Sequence, residues 1–200
     1  MTHKAKVIAI YSLKGGVGKT TLAVNLAAEA ALRRGRKTLL WDLDPQSAAS
    51  FLLRHEPEKK AKARSVFERD IEPGELIVPT QIKGLDLLPA DISLRGLDSF
   101  FHALGKKKRL AKIVEAISGK YDRIFLDCPP GLTETSEQMM RAADIILVPV
   151  IPSPLSRRAL DEVVAHLHAH HKGHAPLLPV FSMVDRRRNL HGTALSSDPD

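Results

Sequence analysis

A lysine- and glycine-rich stretch near the start of the chain carries the residue types that bind phosphate groups. In order, its residues are Ser12, Leu13, Lys14, Gly15, Gly16, Val17, Gly18, Lys19, Thr20 and Thr21. Glycines let a backbone bend so that successive N–H groups point at one anion, and a following helix adds the partial positive charge of its N-terminus. Lys19 can then reach the β- and γ-phosphates of a nucleotide, while the Thr20 hydroxyl holds Mg²⁺. The stretch predicts a loop that binds a nucleoside triphosphate.

Such a loop works between a strand and a helix, and the neighbouring sequence predicts both. Residues 7–11 form an unbroken apolar run before the loop, and residues 22–32 place apolar side chains at helical spacing after it. A second apolar run at 37–44 follows Gly35, which ends the helix. Strand, helix and strand within about 40 residues make a βαβ unit, so the first two strands are predicted to be parallel.

Aspartates stand where two predicted strands end. Asp42 and Asp44 close the second strand, and Asp127 closes the apolar strand predicted at 121–127. Because parallel strands end at one edge of a sheet, where ligands bind, we expect these side chains near the phosphate loop. An aspartate in this position binds Mg²⁺ directly or through water. The alternative for Asp42 and Asp44 is that one of them only caps the helix expected from position 46.

Several segments of the chain match the motifs of one known family. Lys14 precedes the glycines of the loop, and Leu13 stands where the general phosphate-loop pattern has a glycine. The other matches are a D-x-D-P-Q segment at 42–46, a G-L-x-L-L-P-A segment at 84–90 and a D-x-P-P-G segment at 127–131. In these features the chain resembles the ParA/MinD superfamily of ATPases with a deviant Walker A motif, and most of all its ParA-type partition ATPases.

The resemblance runs from residue 5 to residue 192 and implies both the fold and the ligands. The fold would be α/β, a mostly parallel twisted sheet with helices on both faces, as in P-loop NTPases. The cofactors would be ATP and Mg²⁺. The implied cofactor-binding residues are Lys14, Gly15, Gly16, Val17, Gly18, Lys19, Thr20, Thr21, Asp42, Pro130, Gly131, Met183 and Asp185. Of these, Met183 and Asp185 would lie near the base.

The same resemblance implies catalytic roles. Lys14 would cross a dimer interface to the nucleotide of the partner subunit, and Lys19 would contact the phosphates in its own loop. Asp44 would orient or activate the attacking water, and Asp42 would support the ligand shell of Mg²⁺. The implied metal ligands are Thr20, Asp44 and Asp127.

The implied function is that of a ParA-type ATPase. Such a protein forms an ATP-dependent homodimer, binds DNA non-specifically and positions a plasmid, a chromosome or another cargo. A ParB-like adaptor protein would stimulate ATP hydrolysis. Two alternatives stay open: a nucleotide-dependent interaction module that scarcely hydrolyses ATP, and an ATPase that positions a protein assembly. A dinucleotide-binding oxidoreductase is disfavoured, because the glycines at 15, 16 and 18 do not form a G-x-G-x-x-G frame.

The charge balance favours a polyanionic partner, although a basic enzyme without such a partner is the alternative. Lysine and arginine number 30 against 23 aspartates and glutamates, which gives a net charge of +7. Nucleic acid is the commonest partner of a basic protein. The arginines that we expect to contact DNA are Arg157, Arg158, Arg186, Arg187 and Arg188. The first two open a predicted helix, where cations oppose the helix dipole and suggest an anionic ligand.

Three other features receive a structural interpretation. The four cations at 106–109 are predicted to form a solvated turn. Cys128 is predicted to be a small packing residue rather than a nucleophile. His166 and His170 are four residues apart, a spacing found in zinc sites, but the sequence beside them offers no cysteine or carboxylate to complete a site. We interpret them as a solvated helix end.

The remaining expectations concern the extent of the chain and its compartment. Its 200 residues suit a single P-loop ATPase domain at 1–192 and a polar tail without periodicity at 193–200. Family members normally continue with another strand and one or two helices, so we expect those elements to be missing here. The sequence has one cysteine, no signal peptide and no apolar run near the ~20 residues that span a membrane. We expect a cytoplasmic, nucleoid-associated protein without membrane contact.

Overall fold

The structure, a computed structural model, describes residues 4–56, 63–105, 108–170, 173 and 175–196. One or more helices lie between most consecutive strands of the described chain. The strands are β1 (Lys6–Ile10), β2 (Thr38–Asp42), β3 (Val78–Pro79), β4 (Leu85–Leu88), β5 (Arg123–Asp127), β6 (Ile145–Val150) and β7 (Leu177–Phe181). The helices are α1 (Lys19–Leu32), α2 (Ala48–Leu52), α3 (Ser65–Glu68), α4 (Pro73–Leu76), α5 (Leu97–Leu104), α6 (Arg109–Ser118), α7 (Glu134–Ala142), α8 (Pro154–His170) and α9 (Asn189–Ser196).

The strands form one seven-stranded sheet in the order β3-β4-β2-β5-β1-β6-β7. Every neighbouring pair is parallel except β3 and β4, which are antiparallel. The register places Asp127 opposite Ile10 of β1 on one side and Asp42 of β2 on the other. The ends of β1, β2 and β5 therefore meet at one edge of the sheet. The expected fold, a mostly parallel α/β sheet with helices on both faces, is confirmed.

Small side chains set α1 close against one face of the sheet. Ala23, Ala27 and Ala31 recur every four residues, are buried, and belong to a core with Ile10 and Leu40. Side chains on one helical stripe share a face, and alanine allows a close approach between helix and sheet. This packing holds the beginning of α1, and with it the preceding loop, beside the end of β1.

A larger core covers the opposite face, where α3, α5, α6, α7 and α8 contribute buried side chains. An aromatic cluster lies within it: the rings of Trp41 and Phe67 stack with centroids 5.6 Å apart, and Phe67 meets Phe101 edge-on at 5.5 Å. Rings in these arrangements attract each other beyond the burial of their area. The cluster fixes α3 and α5 over the centre of the sheet.

Some sequence expectations differ from the structure. Helix α7 was not expected, and it begins with a capping box in which Thr133 and Ser136 satisfy each other's backbone N–H groups. The tail expected from position 193 is wrong for residues 193–196, because α9 extends through Ser196. Residues 197–200 lie outside the described part of the chain. The domain boundary at 192 therefore stays a prediction, with a helix across it.

At the end of the sheet, β7 pairs only with β6 in the described residues and leaves apolar side chains exposed. Leu178 and Phe181 are 46% and 44% exposed. Unpaired edge strands of this kind can pair with other chains. None of the helices in the described ranges is both long enough and apolar enough to pass through a bilayer.

Candidate nucleotide-binding site

The loop between β1 and α1 has the backbone shape that its glycines predicted. Gly16 and Gly18 lie in the left-handed region, with φ of 72° and 89°. A side chain at position 18 would also bring a Cβ to 3.0 Å from Ser182 Oγ, tighter than nine in ten real contacts of this kind. Both the backbone angle and the close contact favour glycine at position 18. Ser182 in turn donates a hydrogen bond from its hydroxyl to the Val17 carbonyl oxygen at 2.9 Å.

The two lysines of the loop occupy different positions. Lys19, at the start of α1, is only 7% exposed, and its Nζ donates to the carbonyl oxygen of Lys14 at 3.0 Å. Burial lowers the pKa of Lys19, and the nearby carboxylates of Asp127 and Asp44 oppose that change. Lys14 is half-buried. Lys19 is thus held over the loop, while the side chain of Lys14 has no hydrogen bond or ion pair within the described residues.

The carboxylate of Asp127 is buried without a hydrogen-bond donor. It is fully buried, and neither oxygen accepts a hydrogen bond from the residues that the structure describes. Burial raises its pKa to about 7, helped by the charges of Asp42 and Asp44. The rise is opposed by the Lys19 ammonium and by the Thr20 hydroxyl, which lies near the carboxylate but outside hydrogen-bonding geometry. Such a carboxylate is costly unless a ligand satisfies it. Carboxylate and hydroxyl oxygens beside a phosphate loop are ligands that suit Mg²⁺, so the residues present fit this ion.

Asp42, at the end of the neighbouring strand β2, is fully buried like Asp127 but accepts hydrogen bonds at both oxygens. Its Oδ2 accepts from both the backbone N–H and the hydroxyl of Ser50, at 2.9 and 2.7 Å. Its Oδ1 accepts from the Asp44 N–H at 3.2 Å. Burial raises the pKa of Asp42 to about 6, and the Ser50 hydrogen bonds limit the rise. Both oxygens of Asp42 thus accept hydrogen bonds that stabilise the turn after β2. Its charge also raises the pKa of the neighbouring Asp127.

Asp44 shapes the turn that follows β2. Its Oδ1 accepts from the Gln46 N–H at 2.9 Å, and its carbonyl oxygen accepts from the Ser47 N–H at 2.8 Å. The side chain therefore makes the local turn contact that we considered as the alternative to catalysis, although α2 begins at Ala48 and not at position 46. Its Oδ2 makes no hydrogen bond within the described residues. That oxygen is the one available to water or a metal ion.

A third loop, after β5, completes the site. The Tyr11 hydroxyl donates to the carbonyl oxygen of Gly131 at 3.1 Å and ties this loop to the end of β1. Gly131 has a φ of 94°, and Pro130 is exposed at the tip. Cys128 is buried, and burial raises the pKa of its thiol well above the usual value. A buried, protonated thiol suits packing and not nucleophilic attack, as predicted.

The residues expected near the base lie beside the loop but differ in availability. The Cε of Met183 would be 3.6 Å from a Cβ at Gly18, and the side chain is 57% exposed. The carboxylate of Asp185 is engaged, because Arg187 donates to both its oxygens at 2.9 and 3.1 Å. Arg187 is also the main cause of the lowered pKa of Asp185.

Ion pairs partly neutralise the arginines expected to contact DNA. Arg157 and Arg158 pair with Asp161 and Glu162, one helical turn onward, at 3.4 and 3.3 Å. Exposed pairs of this kind are weak, so they do not prevent contact with another anion. Of the C-terminal triplet, two arginines share Asp185. The third, Arg186, makes no ion pair within the described part of the chain.

The histidines form a small cluster with a carboxylate that sequence spacing did not reveal. His166 contacts Glu137 of α7, and its ring stacks on that of His170 at 4.5 Å. His171 and His174 lie outside the described residues. Within the described ranges, no three histidine, cysteine or acidic side chains are arranged to hold a metal ion.

The parallel sheet and the loop at the end of β1 make the chain a P-loop NTPase domain. Residues 5–178 match a family model described as an AAA domain. The chain is 36% identical to the sporulation initiation inhibitor protein Soj of Bacillus subtilis over 194 residues, 92% of this chain and 75% of Soj. It is 32% identical to the chromosome partitioning protein ParA of Caulobacter vibrioides over 193 residues, 92% of this chain and 72% of ParA. The chain belongs to the ParA/MinD superfamily of ATPases, as its motifs implied.

A solved structure agrees with this assignment. The cobyrinic acid a,c-diamide synthase of Mycobacterium smegmatis, with bound ADP and magnesium, has a TM-score of 0.86 and 29% sequence identity. The alignment covers 96% of this chain and 80% of that one. The fold shared by the two chains therefore accommodates a magnesium nucleotide.

The supporting contacts of three residues at the site were not predicted from the sequence. Ser50 holds Asp42, Tyr11 holds the loop after β5, and Ser182 holds the phosphate loop. None belongs to a motif with fixed spacing, since their partners lie 8, 120 and 165 residues away along the chain. A polar residue at the end of an apolar run, as in Tyr11 and Ser182, is the signal that could have suggested two of them.

Proposed function

We propose that this protein is a ParA-type ATPase that binds and hydrolyses MgATP in the loop of residues 14–21. The observation that carries the proposal is Asp127, a fully buried carboxylate without a protein donor in the described part of the chain, beside Lys19 and Thr20. A buried group of this kind needs a partner, and a cation between it and a triphosphate supplies one.

The proposed mechanism consists mainly of positioning and charge neutralisation, as in phosphoryl transfer generally. Lys19 exchanges its contact with the Lys14 carbonyl for the β- and γ-phosphates. Thr20 and Asp127 would hold Mg²⁺, which would supply positive charge to neutralise the phosphate oxygens. Asp44 would orient the attacking water with the oxygen that the Gln46 N–H leaves open. The N–H groups at Gly15 to Thr21 and at Gly131 would be the donors to the phosphates.

The active unit in this proposal is an ATP-dependent homodimer. Lys14 is half-buried and its ammonium makes no ion pair in the described part of the chain, which leaves it able to reach a partner's nucleotide. The dimer binds DNA through electrostatic contacts, favoured by the net charge of +7, and this binding places the protein on the nucleoid. A ParB-like adaptor stimulates hydrolysis and so releases the dimer from DNA. The cargo is a plasmid, a chromosome or another assembly.

The test compares Lys14→Ala with Lys83→Ala, a matched change at an exposed lysine outside the site. Wild type and Lys83→Ala should bind non-specific duplex DNA with ATP but not ADP, with an affinity that falls steeply as salt rises. Lys14→Ala should bind ATP yet remain monomeric by light scattering and lose DNA binding. A Lys14→Ala protein that dimerises with ATP, or DNA binding that ignores the nucleotide, contradicts the proposal.

A phosphate-release assay separates hydrolysis from the alternative of an interaction module. Wild type should release phosphate from ATP, and duplex DNA with a cognate adaptor should increase the rate. ATP-dependent dimers without phosphate release would favour the interaction module.

A further inference from the structure

A cationic cavity, apart from the candidate nucleotide-binding site, lies on the face of the sheet opposite α1. It has a volume of about 270 Å³ and is formed by α3, α4 and α6 with the segment between α3 and α4. Three cations line it, Arg69, Arg109 and Lys112, against apolar walls that include Val66 and Ile113. Both wall residues belong to the core that packs on the side away from α1. The cavity is therefore separate from the nucleotide site.

Arg109 is the most buried of the three cations. It is 8% exposed, and its Nε and Nη2 donate to the carbonyl oxygen of Phe67 at 2.9 and 2.6 Å. A carbonyl contact satisfies donors but leaves the charge uncompensated, and arginine cannot release its proton to escape burial. In the described part of the chain no carboxylate lies within ion-pair distance of this guanidinium. Its Nη1 hydrogens remain for a ligand in the cavity.

The surroundings of Arg109 add positive charge. Burial lowers the pKa of Arg109, and the charge of Arg69 lowers it further. Arg69 ends α3 with a φ of 71°, and neither it nor Lys112 forms an ion pair with any described residue. The lining also includes Glu72, which precedes α4: its carbonyl oxygen accepts the Glu75 N–H at 2.9 Å, and its own N–H donates to the Glu75 carboxylate at 3.2 Å.

The beginning of helix α6 adds to the positive charge around Arg109. The helix is ten residues long, its first turn has no acidic side chain, and the side chain that caps it is the neutral Gln138, whose Oε1 accepts the Leu110 N–H at 3.2 Å. Arg109 and Lys112 instead place two cations in that turn, where they oppose the partial positive charge of the helix end. An anion in the cavity would relieve this repulsion and compensate the buried guanidinium.

We propose that this cavity binds the phosphate group of a small molecule, independently of the nucleotide site and of the proposed ATPase function. Arginine presents a planar fork that matches two phosphate oxygens, and the lysine adds a compact charge. Pockets for drug-sized ligands occupy roughly 300–1,000 Å³, so a cavity of about 270 Å³, just below this range, suits orthophosphate or a phosphate monoester more than a nucleotide.

The experiment titrates inorganic phosphate into the full chain by calorimetry, with MgADP saturating the nucleotide site. The variant is Arg69→Asn with Lys112→Gln, since asparagine tolerates the left-handed backbone at position 69. The matched control is Arg34→Asn with Lys83→Gln, two exposed cations outside the cavity. Wild type and control should bind phosphate equally, and the cavity variant about tenfold or more weakly. Thermal unfolding without phosphate should match between the two variants.

A second arm identifies the source of the phosphate. Glycerol 3-phosphate should compete with inorganic phosphate if the site accepts monoesters, and should not compete if it takes only the free ion; both results support the site. Equal phosphate affinity in wild type and cavity variant overturns the proposal. So does a variant that keeps phosphate binding and loses duplex DNA binding, because the cavity would then belong to a nucleic-acid surface.

Discussion

The ends of β2 and β5 lie side by side, and each strand ends in an aspartate. The hydrogen bonding of the two carboxylates is opposite. Asp42 and Asp127 are partners in the parallel register, and both are fully buried. Ser50 and the Asp44 backbone give Asp42 three hydrogen bonds, whereas Asp127 receives none from the described residues. An apolar strand closed by an aspartate therefore has two uses here. One carboxylate stabilises a turn, and the other is left for a ligand.

The two carboxylates also act on each other. The charge of Asp42 raises the pKa of Asp127 after burial has done so, and Asp44 adds to both rises. Three acidic groups at one sheet edge repel one another unless a cation lies among them. The charge of Asp42 thus increases the free-energy cost of an ionised carboxylate at Asp127. A metal ion bound at Asp127 would remove that cost.

Replacing Asp127 should have the largest effect on activity. Asp127→Asn should lower the rate of ATP hydrolysis by about 1,000-fold, at the upper end of the loss caused by removing one preorganised electrostatic group. Stability of the metal-free protein should not fall, because a buried unpaired charge is removed. Phosphate release and thermal unfolding measure the two effects, with Asp70→Asn at an exposed position as control. An active Asp127→Asn protein would show that the unsatisfied carboxylate does not serve the metal.

The pH dependence of stability comes next in size. In EDTA and without nucleotide, the folded pKa values of about 7 for Asp127 and about 6 for Asp42 lie above the ordinary value of 3.8. The folded state then binds more protons than the unfolded state between about pH 4 and 7, so these groups make the unfolding free energy fall as pH rises. A tenfold difference in proton affinity between the two states corresponds to about 1.4 kcal/mol, so Asp127 contributes a few kcal/mol.

Urea unfolding at pH 5, 6, 7 and 8 tests this dependence. The unfolding free energy should fall less steeply with pH in Asp127→Asn than in wild type. In wild type the fall should level off above pH 7. Identical slopes in the two proteins would mean that Asp127 does not carry the raised pKa.

Replacing Asp42 should reverse the pattern seen for Asp127. Asp42→Asn should destabilise the protein by about 2 kcal/mol, because asparagine keeps one acceptor oxygen and its new NH2 group must face a donor, either the Ser50 N–H or the Asp44 N–H. The urea midpoint should fall without a change in the m-value. If Asp42→Asn proves as harmless to stability as Asp127→Asn, the contrast between the two strand ends is lost.

Ser50 should give the smallest effect. Its hydroxyl donates to Asp42 and accepts from the Ala90 N–H at 3.1 Å, so Ser50→Ala should cost about 1 kcal/mol through two lost hydrogen bonds. Ser99→Ala, at an exposed position of α5, should be nearly neutral. Equal midpoints for the two variants would assign the stability of this turn to the backbone contacts alone.

Much of the fold and the phosphate loop could be predicted because the signals are local. Apolar runs gave the strands, and the glycines gave the turn whose φ angles the structure confirms at Gly16 and Gly18. Helix α7 was missed because its sequence is mostly polar, although Thr133 is a good N-cap residue. The contrast between Asp42 and Asp127 could not be predicted. It depends on α2 turning Ser50 back onto β2.

Charged residues were the least predictable. Arg109 was expected in a solvated turn, and this is wrong because its guanidinium is buried against Phe67, 42 residues earlier in the chain. Lys106 and Lys107, from the same run, lie outside the described residues. Arg187, which we expect to contact DNA, pairs with Asp185 while its side chain stays exposed, and the sequence did not indicate this pair. Long charged side chains contact groups that are distant in the sequence, and only the folded structure shows which of these groups lie within reach.

The buried Cys128 has a practical consequence for experiments on this protein. It is the only cysteine of the chain, and its protonated thiol is 1% exposed. A maleimide should therefore leave the folded protein unlabelled and react when the sheet opens, so the native sequence reports its own unfolding. For the same reason, one cysteine introduced at the surface should accept a fluorophore selectively, and dimer formation could be followed in solution without removing Cys128.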